Sequence, residues 1–305
     1  MNLLRRADRW LQAPAPAERL AAFRVLAGGF ALVYIAVRAP ALWALTRRPD
    51  DRFEAVGILA PVDDPPARLL VAVALGLTLV LGVAFTLGWR FRASGPAFAL
   101  TLLVVTTYHG SWGQLLHFEN LMTLHVLVLG FSPAADAWAL GTGRGTRPED
   151  ARYGWPLRLA SIITVTAYFI AGVAKLRIGG TEWMLGDTLR NHVAYSAARL
   201  ELLGGTPTPL ARHVIDWSWL FAPMAMGTVV LELAAPMALR GGRVRDLWVA
   251  ATIVMHLAIL ALLAVFFPYQ ALGFAFAPMY ALDDGVDRVR AWGRHHLVDR
   301  RVAAQ

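Results

Sequence analysis

The sequence predicts an all-α, polytopic membrane bundle of about eight transmembrane helices with both termini cytoplasmic. Three observations carry that expectation. Apolar residues fill 57% of the 305 positions and charged residues only 16%, fewer charges than a soluble domain of this size carries. Apolar stretches of roughly 18 to 25 residues recur, the length a helix needs to cross hydrocarbon, where every backbone N–H and C=O must be paired within its own segment. The runs lack a period-2 alternation, which argues against a β-barrel, and the arginines cluster between the runs.

Taken in order, the stretches fall at 20–45, 67–89, 95–109, 118–140, 157–176, 217–239, 246–265 and 266–282. The third is short, and the last is interrupted by Pro268 and Pro278, so either could be re-entrant. With the N-terminus inside, the cytoplasmic connections receive 18 arginines and the outer ones 8, in keeping with the positive-inside rule. Seven crossings would instead put the five tail arginines outside. Three segments result: a cytoplasmic amphipathic lead-in at 1–19, a transmembrane domain at 20–282 and a basic cytoplasmic tail at 283–305. Residues 1–19 carry Arg5, Arg6 and Arg9 with Pro14 and Pro16 but no short apolar core before a cleavage site, which is not the pattern of a signal peptide. The outer connection 177–216 is long enough to hold short helices on the membrane surface, and 141–156 reads as a linker. There is no internal repeat of the kind that builds inverted-repeat transporters.

The formal charge of +8 does not imply nucleic acid, because the arginines sit between apolar runs rather than along one face. With no cysteine, the chain has no disulfide, thiolate metal site or cysteine nucleophile. The histidines in and beside the apolar runs, His109, His117, His125 and His256, lack the i, i+3 or i, i+4 spacing to a carboxylate that a helix-borne metal site would show, so no metal is expected.

Ionisable groups inside spans are costly and mark either function or internal pairing. Among those within the runs are Arg24, Arg38, Glu119, His125, Lys175, Glu232 and His256. At 1.5 Å per residue, Arg24 lies roughly 8 Å beyond Arg19 and Glu232 roughly 12 Å from Arg240, which suggests a structural ion pair between the first and sixth spans. Arg38 lies near an outer end, where it can snorkel. The other polar groups, with His109, Trp112 and His117 on the turn before the fourth span, converge on the outer half. An outward-facing cavity would explain that convergence, and so would ordinary interhelical hydrogen bonds.

Lys175 stands apart: of 29 basic residues, 28 are arginine. Arginine stays protonated in proteins, whereas a desolvated lysine can lose its proton and act as a base or form a Schiff base. Alternatively, a lysine at this depth snorkels to the headgroups.

The segment Tyr168-Phe169-Ile170-Ala171-Gly172-Val173-Ala174-Lys175-Leu176, followed by Trp183-Met184-Leu185-Gly186, resembles a membrane segment of vitamin K-dependent γ-carboxylase. Further similarity, in the same order along the chain, lies in Leu20-Ala21-Ala22-Phe23-Arg24, Ser111-Trp112, Leu231-Glu232-Leu233 and His256 with Phe266-Phe267-Pro268-Tyr269. Over residues 18–282 the chain resembles the HTTM family, named for a horizontally transferred transmembrane domain. The resemblance implies a cavity for a reduced quinone of the vitamin K hydroquinone kind and quinol-linked oxidoreductase or lyase chemistry. Lys175 would be the base, and His117 and His256 its hydrogen-bonding or proton-relay partners. Trp112, Tyr168, Trp183 and His125 would contact the ligand. Two departures bear on this: the carboxylase's Asn-His pair falls on His117-Phe118, and three extra residues separate Lys175 from Trp183. The sequence also ends where the carboxylase continues into a lumenal domain, so carboxylation of a propeptide-bearing protein is not expected. The expected partners are the lipid bilayer, a quinone or lipid-like molecule and either a secreted peptide or a separate soluble subunit, at a bacterial inner or plasma membrane. The alternative function is non-enzymatic: a membrane accessory protein that binds lipid or assists maturation and export of a secreted peptide.

Overall fold

The computed structural model describes residues 3–113, 117–141 and 147–284. Among them the chain is helical, with α1 (Leu3–Leu11), α2 (Ala17–Ala44), α3 (Arg68–Leu87), α4 (Phe91–Gly110), α5 (His117–Gly130) and α6 (Ala151–Met184). There follow α7 (Asp187–Leu202), α8 (Pro209–Val214), α9 (Ser218–Leu233), α10 (Gly242–Leu263) and the single turn α11 (Pro268–Ala271). Four helices are long and apolar enough to cross a membrane, namely Ala17–Arg47 with its 3₁₀ extension, Arg68–Leu87, Ala151–Met184 and Gly242–Leu263, and the shorter Ser218–Leu233 is also apolar. At 1.5 Å per residue, a 20-residue helix such as α3 spans about 30 Å, the thickness of the hydrocarbon core.

Two of the expected spans end sooner than the hydropathy suggests. The helix of 118–140 stops at Gly130, giving 14 residues or about 21 Å, too short to cross alone. The stretch 266–282 is not one helix: it is α11, a break at Leu272-Gly273 and a 3₁₀ segment from Phe274 to Met279. Proline explains the second case, because Pro268 serves as the first residue of a helix and Pro278 cannot donate to a continuing ladder. The basic tail lies outside the described residues from 285 onward.

The chain divides into two compact units, residues 1–160 with 277–305 and residues 161–276, so α6 contributes its first ten residues to one and the rest to the other. In the first unit α2 packs on α3, α3 on α4, α4 on α5 and α5 back on α2, a closed set of four. Within it Arg24, on α2, is fully buried. The guanidinium donates to the carbonyl oxygens of Ala134 at 2.9 Å, Ala137 at 3.3 Å and Trp138 at 2.6 Å, in the turns that follow α5, and lies 5.8 Å from the Phe91 ring centroid. Those carbonyls have no helical partner of their own to lose, so one planar fork satisfies three acceptors. The ion pair expected with Glu232 is therefore corrected: Arg24 gives Nη1 and Nη2 to backbone oxygen, and both carboxylate oxygens of Glu232 are bound by Lys175. Nearer the N-terminus, Arg19 pairs with Asp283 at 2.8 Å, and Arg158 donates to Ala13 O beside the Trp10 ring.

In the second unit α10 is the hub, packing against α7, α8, α9 and α11. Val193, Ala211, Val214, Phe221 and Leu262 form its core at the junction of α7, α8, α9 and α10. Local rules set α8: Thr208 caps it by accepting from Ala211 N at 3.2 Å, and Pro209 occupies the first helical position, where no N–H is needed.

Replacing Arg24 with Ala should lower stability by at least about 3 kcal/mol, since buried carbonyls lose their donor at about 1–3 kcal/mol each. Thermal unfolding in detergent measures this, and a variant as stable as wild type would show that those carbonyls do not depend on Arg24.

Candidate functional site

In the second unit the site is built on one face of α6. Thr164, Tyr168, Gly172 and Lys175 follow each other at spacings of four, four and three, so they form a single stripe. Each member meets a different neighbour. Thr164 Oγ1 donates to Ala275 O at 2.9 Å. The Tyr168 hydroxyl and His256 Nε2, from α10, are 2.7 Å apart. Lys175 Nζ donates to both oxygens of Glu232, from α9, at 2.6 and 2.7 Å.

Gly172 makes the Lys175–Glu232 approach possible. A Cβ at 172 would lie 3.0 Å from Glu232 Cβ and 3.2 Å from Leu233 side-chain carbons, so these side chains of α9 could not stay as close if 172 carried one. Beyond Lys175 the helix breaks at Gly180, whose φ of 54° and ψ of −143° suit glycine alone. The break brings Trp183 back so that Lys175 Nζ lies 5.5 Å from its ring centroid, within cation–π range. The ammonium therefore has a carboxylate on one side and an aromatic face on another. The Lys175 side chain is 21% exposed and that of Glu232 only 6%.

Around Tyr168 and His256 the walls are aromatic. Trp248 meets Tyr168 edge-on at 5.2 Å between centroids, Phe276 stacks on it at 6.1 Å, and Phe267 lies 5.1 Å from the imidazole. His256 Nδ1 and Trp183 Nε1 are buried and have no hydrogen-bond partner. Each is a polar atom that a hydroxyl-bearing ligand would satisfy.

The first unit holds a second polar centre. Arg38 Nη2 lies 3.2 Å from His109 Nε2, and His109 Nδ1 lies 2.9 and 3.0 Å from the two oxygens of Glu119. The Tyr34 hydroxyl donates to Glu119 Oε1 as well. A guanidinium has no acceptor, so Nε2 must accept from Arg38, and the Nδ1 proton is then the one given to Glu119. The imidazole is thus a neutral bridge between a cation and an anion that do not touch each other.

A family model, the HTTM domain, matches residues 12–284. The chain belongs to the HTTM family. Comparison with curated proteins gives no match, and comparison with solved structures gives none. With four helices able to span a bilayer, this HTTM chain is a membrane protein.

Tyr168, Lys175, Trp183 and His256, all singled out in the HTTM sequence, fall together in the second unit. Glu232 joins them as the partner of Lys175, a role that depth matching along the spans assigned elsewhere. His117 is exposed at the start of α5 in the first unit, and the histidine that meets a buried carboxylate there is His109. His125 Nε2 lies 3.1 Å from Ala160 O and its ring meets Phe23 at 5.4 Å, which makes it a tie between α5 and α6. Trp112 is buried in the first unit against Phe53 and Tyr108. What reading the sequence missed was the Arg38–His109–Glu119–Tyr34 set. The signal available was a carboxylate within an apolar run together with a tyrosine and an arginine four residues apart on α2.

Because His109 and Glu119 share one network, His109→Ala and Glu119→Gln should be non-additive in thermal stability, with a coupling of about 0.5–3 kcal/mol. Additive losses would show that the two side chains act independently.

Proposed function

We propose that this HTTM protein carries out quinol-linked oxidoreductase or lyase chemistry in the membrane, with Lys175 and Glu232 as an acid–base couple beside Tyr168 and His256. The observation that carries this reading is that the chain's sole lysine is bound by a buried carboxylate and covered by an indole.

Moving one proton from Lys175 Nζ to a Glu232 oxygen turns an ion pair into a neutral amine and carboxylic acid without changing the net charge. Apolar surroundings that would oppose the loss of a proton to water do not oppose this internal transfer. The amine then has a lone pair able to accept a proton from outside the couple, and Glu232 holds the displaced one. Arginine at 175 could not take part, since its guanidinium keeps its proton.

The buried, unpartnered atoms His256 Nδ1 and Trp183 Nε1 among aromatic walls fit a flat hydroxylated ring of the vitamin K hydroquinone kind. When bound, a reduced quinone supplies an ionisable hydroxyl and two reducing electrons. His256 would hold one hydroxyl at Nδ1 while Tyr168 fixes the opposite nitrogen, and Trp183 would screen Lys175 from water.

The test is oxygen uptake by the purified protein with vitamin K hydroquinone added. Lys175→Arg and Lys175→Ala should both fall by about 100-fold or more, the usual contribution of a general base. Glu232→Gln, which keeps a hydrogen-bonding side chain but cannot hold the proton, should fall with them. Thermal unfolding of each variant separates loss of chemistry from loss of fold. Near-wild-type turnover by Lys175→Arg overturns the base assignment. A wild-type protein without turnover that co-purifies with a peptide supports the accessory reading instead.

A further inference from the structure

Away from Lys175, the second unit contains a cavity of about 230 Å³ between α7 and α8. Val193, Ala197, Ala211 and Ile215 make its apolar floor, and Glu201 and Arg212 stand at its edge. The two charges are exposed and, among the described residues, neither has an ion-pair partner. Along the chain, exposed apolar and aromatic residues flank them, together with the exposed ionisable Arg199, His213 and Asp216. Tyr195 is 68% exposed on α7, Leu202 and Leu203 are 87% and 74% exposed at its end, and Trp217 and Trp219 are 52% and 72% exposed just after α8. Exposed tryptophan and tyrosine beside exposed leucine mark the level of the lipid headgroups, where a ring can be half in hydrocarbon and half in water.

We infer that this cavity is a binding site for a zwitterionic glycerophospholipid, with one acyl segment on the apolar floor, the phosphate at Arg212 and the ammonium at Glu201. The inference does not rest on the proposed chemistry at Lys175 and concerns a separate place on the second unit.

Three features argue for this occupant. A volume of 230 Å³ matches a length of alkyl chain rather than a whole lipid, on the scale of about 30 Å³ for one water-sized group. An unpaired carboxylate and an unpaired guanidinium on the edge of one cavity complement a ligand that carries both signs, whereas an anionic lipid would meet repulsion from Glu201. Guanidinium is the side chain best matched to phosphate, through its planar fork. The floor is also held in place: Arg190 Nε donates to Ile215 O at 2.9 Å, Thr208 caps α8, and Val193 and Ala211 are buried. The cavity is therefore a fixed feature of the α7–α8 pair.

The experiment is native mass spectrometry of the full chain after exchange into detergent micelles containing phosphatidylethanolamine or phosphatidylglycerol. Wild type should retain phosphatidylethanolamine in preference. Arg212→Gln should reduce retention of both lipids by roughly two- to fivefold, the range for a partly exposed ion pair. Glu201→Gln should reduce phosphatidylethanolamine alone and so erase the preference. Ala197→Leu, which fills the floor, should reduce both lipids while leaving quinol-dependent oxygen uptake unchanged, and that separates failure here from failure at Lys175. Equal retention of the two lipids by wild type, or undiminished phosphatidylethanolamine on Ala197→Leu, would overturn the assignment.

Discussion

The structure depends on one constraint: a polar group placed among apolar helices must find its partner within the protein, because the surrounding medium offers none. Three solutions occur. Arg24 gives its donors to carbonyl oxygens left over where α5 ends, so a cation is held by dipoles alone. Arg38 and Glu119 are joined through the His109 imidazole, with Tyr34 supplying a further donor to the carboxylate. Lys175 and Glu232 pair directly. The first has backbone for a counterpart and no net neutrality of its own. The second and third are locally neutral, which limits the cost of burying them. Only the third can become uncharged by an internal proton transfer, since neither arginine gives up its proton.

Much of the helical fold was legible because hydrocarbon imposes length and continuity on a sequence. The runs at 20–45, 67–89 and 246–265 return as α2, α3 and α10 to within a few residues. Where hydropathy and local backbone rules disagree, the backbone decides. The run 118–140 remains apolar past Gly130, yet the chain turns there because Pro133 cannot continue a hydrogen-bonded ladder. The same competition divides 266–282 and ends α9 at Leu233, before Pro236.

The site was legible in part, and the failures have one origin. Estimating depth from residue counts fixes a side chain's coordinate along the helix axis but not the direction in which it points. Arg24 and Glu232 agree in estimated depth and still take different partners, because a helix rotates a side chain by about 100° per residue. The estimate for Glu232 also counted back from Arg240 through residues that form a 3₁₀ turn, Ala235–Arg240, with its own rise and rotation. His117 and His109 show a second form of the problem. They lie eight residues apart around one connection, and only backbone geometry determines which of them turns inward.

Lys175 was the easier inference because composition, rather than position, singled it out, and its helix carries most of the remaining information. Tyr168, Gly172 and Lys175 share a face of α6, so any one neighbour along that face must accept a ring, a gap and a charge in succession. The structure divides that requirement between two helices. His256 of α10 takes the hydroxyl, while Glu232 of α9 enters at the gap and reaches the charge. The glycine therefore has a double consequence: it admits the carboxylate that neutralises Lys175, and it keeps α9 near enough for that carboxylate to hold the ammonium with both oxygens. A larger residue at 172 would press on Glu232 Cβ and Leu233 of α9, so the gap and the pair form a single feature of the sequence, in which a residue without a side chain sets how closely α9 brings its carboxylate to a residue three positions away.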